Sequence, residues 1–456
     1  MNEYQFHWAN DAFFYHIYPL GFSGAPSRND FNHPPENRLQ KVAEWLLHLR
    51  RLGVNALYLG PLFESSAHGY DTADFYKVDR RLGDQDSLKQ LSQSIHQNGM
   101  HLVLDAVFNH VGRDFWAFKD VQQNLSGSRY CSWFAGLRFD VRSPKGDPFT
   151  YDTWNGHYDL VRLNLDNPAV RNHLFEAVRM WISEFDIDGL RLDAADCLSL
   201  DFMQALHAFC RQIKPDFWLL GEVIHGDYRK WVNPDTLDSV TNYECYKGLY
   251  SSLADRNYYE IAYALNRQFG ADGMYRDLPL YNFVDNHDVD RVASKLVNPA
   301  HLYLLYLLLF TMPGIPSIYY GSEWGIQGVR TAVSDSALRP DLSLTELERS
   351  ASHPGLPDVI TRLAALRVST PALRYGNYSQ VTVSSRQLAF LRQTPEQTIL
   401  VLLNADEKEA SMSVSLSIPD GSAVDLLNNY DRFSVRNGKL EIHNLPACWG
   451  RVLLLN

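Results

Sequence analysis

Eight short apolar, β-branched or aromatic runs, separated by longer amphipathic stretches, constrain this 456-residue chain more than any other feature. Strands and helices that alternate along a chain pack as a parallel sheet wrapped in helices, because each sheet face and each apolar helix stripe must cover the other. The pattern predicts strands at 13–18, 56–59, 102–107, 189–193, 218–222, 239–243, 280–284 and 317–320. Helical periodicity falls at 38–51, 87–98, 169–185, 198–213, 299–310 and 358–367. Eight strands with helical crossovers favour a closed (β/α)₈ TIM barrel over an open doubly wound sheet.

Two departures from a plain barrel set the domain plan. The stretch after the third strand is too long for a simple loop and is rich in Gly, Asp, Trp and Tyr, so a small inserted domain is expected at 110–167. It would split the barrel into 1–109 and 168–369. From 370 to 456 short strands alternate without helices (380–383, 388–393, 398–403 and 411–416), which predicts a C-terminal all-β sandwich domain.

Charge and cysteine usage remove several function classes. A net charge of -11 lacks the clustered Lys and Arg that phosphate backbones require, so nucleic acid is not an expected partner. The longest apolar run, 302–310, closes on Met312-Pro313-Gly314 and is far short of a bilayer span, so no membrane association is expected. The N-terminal twenty residues lack the basic start and unbroken apolar stretch of an export signal. Five scattered cysteines (Cys131, Cys197, Cys210, Cys245 and Cys448) read as free thiols of a reducing compartment, giving a cytoplasmic expectation.

Four apolar runs end in acidic or imidazole groups: HLVLDAVFNH, GLRLDAAD, LLGEVIHG and FVDNHD. The carboxyl ends of barrel strands converge on one rim, so these side chains would meet there. Arg191 and Asp193 lie two apart on a strand and share a face, an arrangement that favours an ionised carboxylate and suits a nucleophile. Glu222 closes an apolar run, where partial desolvation raises a carboxyl pKa and suits a proton donor. Carboxyl groups about 5 Å apart would act by double displacement with retained configuration. Asp288 adds a third charge. Taken singly, an acidic strand end is more often a helix cap or loop ion pair, and a lone His110 or His287 is as readily structural. Four such ends in one barrel reverse that balance.

These segments, in this order and spacing, resemble the signature regions of the α-amylase family of glycoside hydrolases: DAVFNH (105–110), GLRLD (189–193), LLGEV around Glu222, and FVDNHD (283–288). His68-Gly69-Tyr70-Asp71 and Gly314-Ile315-Pro316 with Tyr319-Tyr320-Gly321 resemble two further regions. The resemblance implies Asp193 as nucleophile, Glu222 as general acid/base and Asp288 as transition-state stabiliser. It also implies that Tyr70, His110, Arg191 and His287 line the subsite of the attacked sugar. Asp335 and Arg339 resemble the acidic and basic pair closing the next subsite; an ordinary surface ion pair is the other reading of their spacing.

Within the family, Arg162-Leu163-Asn164 stands where many amylases carry Asp-Leu-Asn, whose Asp ligates a structural calcium, and Asp196-Cys197 replaces a Lys-His pair. No metal site of that type and no cofactor is therefore implied. Arg162 is expected instead to bridge the inserted domain to the barrel through Asn109 or nearby carbonyls, with calcium held by the 140–152 stretch as the competing outcome. The basic residue before Leu-Asn, and Glu184 to Gly189, resemble the neopullulanase and cyclomaltodextrinase branch. That branch usually carries an N-terminal β domain, whereas here the first strand starts near Asp11, so no oligomeric state carries over. Ile224 occupies a position where an aromatic sugar platform is common. The expected activity is hydrolysis of α-1,4 links, with α-1,6 links as a further candidate, in short, branched or cyclic maltooligosaccharides, including a cyclic maltosyl-maltose type. The alternatives are an α-glucosidase, a glucan transglycosylase or a non-catalytic carbohydrate-binding relative.

Overall fold

The computed structural model describes residues 7–456; residues 1–6, on which part of the export-signal reading rests, lie outside it. Eight parallel strands run Phe14–Ile17, Ala56–Leu59, His101–Ala106, Gly189–Leu192, Trp218–Gly221, Ser239–Val240, Tyr281–Asn282 and Ile315–Tyr319. Each pairs with its sequence neighbour, and the first also pairs with the eighth. The ring closes between the sixth and seventh through the Thr241–Tyr281 bridge, where Asn242 donates its N–H to the Tyr281 carbonyl at 2.9 Å.

All eight predicted strands are present, but the sixth and seventh are shorter than the expected 239–243 and 280–284. Their last residues leave the ladder to become rim loops, and those loops carry the polar groups. The other helical predictions hold to within two or three residues, as with Pro168–Phe185, opened by an Asn167 cap and a proline at the first turn. Helices Tyr243–Ala254 and Tyr259–Phe269, and the antiparallel pair Phe63–Ser65 and Thr72–Val78, were not anticipated.

Period-two alternation sorts every barrel strand into two faces. One face, including Tyr15, Ile17, Leu57, Leu59, Leu102 and Leu104, packs outward into the large core shared with the helices. The other fills the barrel with Phe14, Ala56, Tyr58, Val103, Trp218, Leu220, Tyr281, Phe283 and Ile315. Two residues further along the inward face stand His16, Asp105, Glu222, Asp285 and Ser317. The barrel is thus apolar at its base and polar toward its carboxyl rim.

After the third strand the chain forms a small three-stranded sheet, His157–Arg162 between His110–Gly112 and Thr153–Trp154, with helix Trp116–Asn124 beside it. The C-terminal region is an eight-stranded antiparallel sheet that contains the four predicted strands and four more: Gly421–Asp425, Arg432–Arg436, Lys439–Leu445 and Trp449–Leu455. One face (Leu388, Phe390, Ile399, Val401, Leu403 and Val452) joins the barrel core. The opposite face closes on its own cluster of Ala389, Leu400, Leu402, Val414, Ile442 and Leu453. Among the described residues no helix is long and apolar enough to cross a membrane, and the five cysteines are free.

Candidate active site

Arg191 organises the rim. Its buried guanidinium donates from Nη1 to Asp105 Oδ1 at 2.9 Å and to Asp193 Oδ1 at 2.9 Å, and its Nη2 lies 2.7 Å from Glu222 Oε1. Burial works against that charge, but the carboxylates of Asp105 and Glu222 more than offset it and hold the guanidinium protonated. Asp105, on the neighbouring strand, is the direct register partner of Arg191. It also accepts from the hydroxyls of Tyr58 at 2.7 Å and Tyr70 at 3.0 Å. Sequence reasoning named Asp105 only as part of a motif and gave it no role. The available signal was a carboxylate on the inward face of an otherwise apolar strand, where a buried polar group needs bonding partners.

The expectation that Arg191 would keep Asp193 ionised is incomplete. Burial pushes the Asp193 carboxyl well up, Arg191 opposes this, and the neighbouring Glu222 charge reinforces it. Glu222 is raised as well, first by burial. Two desolvated carboxyls on one guanidinium titrate as a pair and retain a proton above the ordinary carboxyl range. Asp288 behaves oppositely. Burial raises it, but His287, whose Nε2 lies 3.0 Å from Asp288 Oδ2, and Arg339, whose Nη2 donates to Oδ1 at 3.0 Å, hold it below the ordinary range.

Backbone geometry completes the Glu222 environment. Ala194, directly after Asp193, has φ 45 and so sits in the left-handed region that non-glycine residues rarely occupy. In that conformation its N–H donates to Glu222 Oε2 at 3.1 Å. Nothing in the sequence marks this amide. Gly69, at φ 89, lets the loop carrying Tyr70 pass where a Cβ would lie 2.7 Å from Pro61.

Each remaining predicted residue lies on this rim. Tyr70 stacks on His287 with ring centroids 5.4 Å apart, and its hydroxyl oxygen is 2.5 Å from His287 Nε2. His110 Nε2 is 4.0 Å from Asp193 Oδ2, and burial lowers its imidazole to about 4, which leaves it neutral near pH 7. Asp335 and Arg339 pair at 2.9 Å. Arg339 also reaches Asp288, so the pair adjoins the carboxylate cluster. Trp154 of the inserted segment packs with its ring 5.8 Å from that of His110. Ile224 is 44% exposed at the rim.

The expected Arg162 bridge is not formed. The Arg162 side chain is exposed, and among the described residues it makes no hydrogen bond to Asn109 or to a carbonyl. The link between segments is main-chain instead: Leu163 N donates to the Asn109 carbonyl at 3.1 Å, and Arg162 pairs with His110 across the small sheet. An antiparallel ladder already satisfies those groups, so the guanidinium has nothing to bond there. In the 140–152 stretch, the buried Asp147 is held by Arg113 at 2.7 Å.

Comparisons agree with this geometry. Residues 16–353 match the family described as alpha amylase, catalytic domain, and residues 378–447 match that described as maltogenic amylase, C-terminal domain. A cyclomaltodextrinase from Bacillus sp. is 34% identical over 425 residues, covering 88% of this chain and 74% of that protein. Neopullulanase 2 from Thermoactinomyces vulgaris is 31% identical, covering 91% and 72%. The structure of a cyclic α-maltosyl-(1→6)-maltose hydrolase from Arthrobacter globiformis, in complex with that cyclic sugar, superposes with a TM-score of 0.81 at 28% identity, covering 98% of this chain and 99% of that one. A barrel whose strand ends bring four carboxylates and an arginine onto one rim, matched across 16–353 by the catalytic-domain family, places this chain in the α-amylase family of glycoside hydrolases.

Proposed function

We propose that the enzyme hydrolyses α-glucosidic links in short, branched or cyclic maltooligosaccharides with retention of configuration. Asp193 is the nucleophile, Glu222 the general acid/base and Asp288 the stabiliser of the oxocarbenium-like centre. The observation that carries this reading is the single Arg191 guanidinium held by both Asp193 and Glu222. It supports the close carboxyl spacing that double displacement needs, about 5–5.5 Å. A dyad that keeps one proton supplies both an ionised nucleophile and a protonated donor, as attack and leaving-group departure require together. Asp288, held ionised by His287 and Arg339, offers negative charge to the cationic anomeric carbon. His110, Arg191, Tyr70 and His287 bind the attacked sugar, and the Asp335–Arg339 pair borders the adjacent subsite.

The three relatives named above support substrates of cyclic or branched type. The division into 1–109, 110–167, 168–369 and 370–456 serves this reading, with the inserted segment placing Trp154 beside His110. A cytoplasmic location is supported by five unpaired thiols. Product analysis on maltotriose, pullulan, β-cyclodextrin, panose and soluble starch, with anomeric NMR of the first product, tests the assignment. We expect higher kcat/KM on oligosaccharides or cyclic sugars than on starch, and an α-anomer as first product. A preference for long amylose would refute the substrate class, and an initial β-anomer would refute the mechanism.

The Arg162 and Cys197 substitutions carry a further expectation. Calcium needs six or more oxygen ligands with enough negative charge to offset its dehydration, and a guanidinium at a ligand position opposes that. Treatment with a chelator is expected to leave the melting temperature and activity nearly unchanged. A large loss restored by added calcium would show a structural calcium site.

A further inference from the structure

The inward-facing polar layer that carries Glu222 also holds a group that the mechanism above does not use. His16 projects inward from the first strand, is 4% exposed, stacks on Tyr58 with centroids 4.2 Å apart, and meets His287 edge to face at 5.2 Å. Burial drives its imidazole well below its ordinary value, so it stays neutral. Among the described residues its Nε2 is buried without a hydrogen-bond partner, and so is His287 Nδ1. Both residues line one small cavity of about 20 Å³, together with Glu222, Thr241 and Ser317. A water needs about 10–15 Å³ and two to four polar partners. This cavity meets both conditions, and buried polar groups are rarely left unpaired.

We propose that this cavity is a binding site for one structural water, through which His16 acts as a positioning residue for His287. The water accepts the proton of His16 Nε2–H and donates to His287 Nδ1. Local bonding fixes the other end of the chain. The Tyr70 hydroxyl donates to Asp105 Oδ2 at 3.0 Å, so its oxygen is free to accept from His287 Nε2. His287 Nε2–H is therefore shared between Tyr70 and Asp288, and a water donating to Nδ1 keeps the proton on Nε2. Which imidazole nitrogen carries a proton is commonly set by the bond that the other nitrogen makes. The alternative tautomer would aim a lone pair at the Asp288 carboxylate. His16 thus fixes a donor in the attacked-sugar subsite without touching the sugar.

This inference rests on the site reading above, yet fails separately from it: the carboxylate variants test the mechanism whatever His16 does. A crystal structure at about 1.5 Å resolution is expected to show a water within hydrogen-bond distance of both nitrogens. Nitrogen-15 spectra are expected to report the Nε2–H form of His287 in the unsubstituted enzyme and its loss in His16→Phe. Misplacing a group at the reacting centre from a distance can cost about 100-fold, so His16→Phe should lower kcat by up to that factor with a smaller change in KM. His16→Gln, which can still donate to the water, should recover most of it. The proposal is overturned by a density map without that water, or by a His16→Phe enzyme with unchanged His287 tautomer and kcat. If His16→Phe does not fold, the water and the spectrum of the unsubstituted enzyme decide alone.

Discussion

Asp193→Asn and Glu222→Gln are each expected to lower kcat on maltooligosaccharides by several orders of magnitude while the far-UV spectrum and melting temperature stay close to those of the parent enzyme. The two losses should differ in kind. General acid assistance is worth about 10²–10⁴-fold, and a substrate with a good leaving group does not need it. Glu222→Gln should therefore recover much of its first-step rate on an activated aryl glycoside, and Asp193→Asn should not. The pH dependence carries a sign that follows from burial. Because desolvation raises both carboxyls, the pair keeps its last proton above the ordinary carboxyl range, and activity falls as pH rises through that raised value and the donor is lost. On the aryl glycoside this alkaline limb should vanish in Glu222→Gln. Near-parental activity of either variant on natural glucan would exclude the mechanism.

Asp105→Ala is expected to be the most destabilising single change on the rim. Its carboxylate is fully buried and accepts from Arg191, Tyr58 and Tyr70 together. Removing it leaves a buried guanidinium one counter-charge short and two hydroxyls without their acceptor. Breaking a buried ion pair by deleting one partner costs about 3–5 kcal/mol. The urea midpoint should shift accordingly, and kcat should fall too, because Arg191 would redistribute toward Asp193 and Glu222 and disturb their shared proton. Asp105→Asn keeps the shape and should fall between Ala and the parent. A denaturation midpoint for Asp105→Ala within error of the parent would refute this account of the rim.

The barrel was legible because inward and outward faces alternate with period two, and the site because carboxylates closed runs too apolar to need them. Asp193, Glu222 and Asp288 stood out as terminators of such runs. Asp105 did not, since it sits inside one, and its meaning appears only when register sets it opposite Arg191. The left-handed Ala194 amide has no sequence signature, because alanine does not ordinarily adopt that conformation. Helix Tyr243–Ala254 escaped detection for a related reason: it carries Gly248, Ser251 and Ser252, which are buried by tertiary packing and not selected by helical propensity. Arg162 shows the converse limit. A residue type at a familiar position said what is missing there, but not which main-chain ladder takes its place.

The two-faced C-terminal sheet bears on the order in which the molecule can be finished. Strand Trp449–Leu455 is made late, yet it lies in the middle of the sheet, between Thr398–Asn404 and Gly421–Asp425. Gly450 on that strand approaches Leu307 so closely that a Cβ would meet its side chain at 2.8 Å, and Leu307 lies on helix His301–Thr311, which is apolar on nearly every side. A nascent chain can close its barrel ring while part of this helix is still bare, and that part is covered when strand Trp449–Leu455 threads between two earlier ones. Chains interrupted before residue 449 would therefore expose a greasy helix beside two unpaired strand edges, the combination from which aggregation starts.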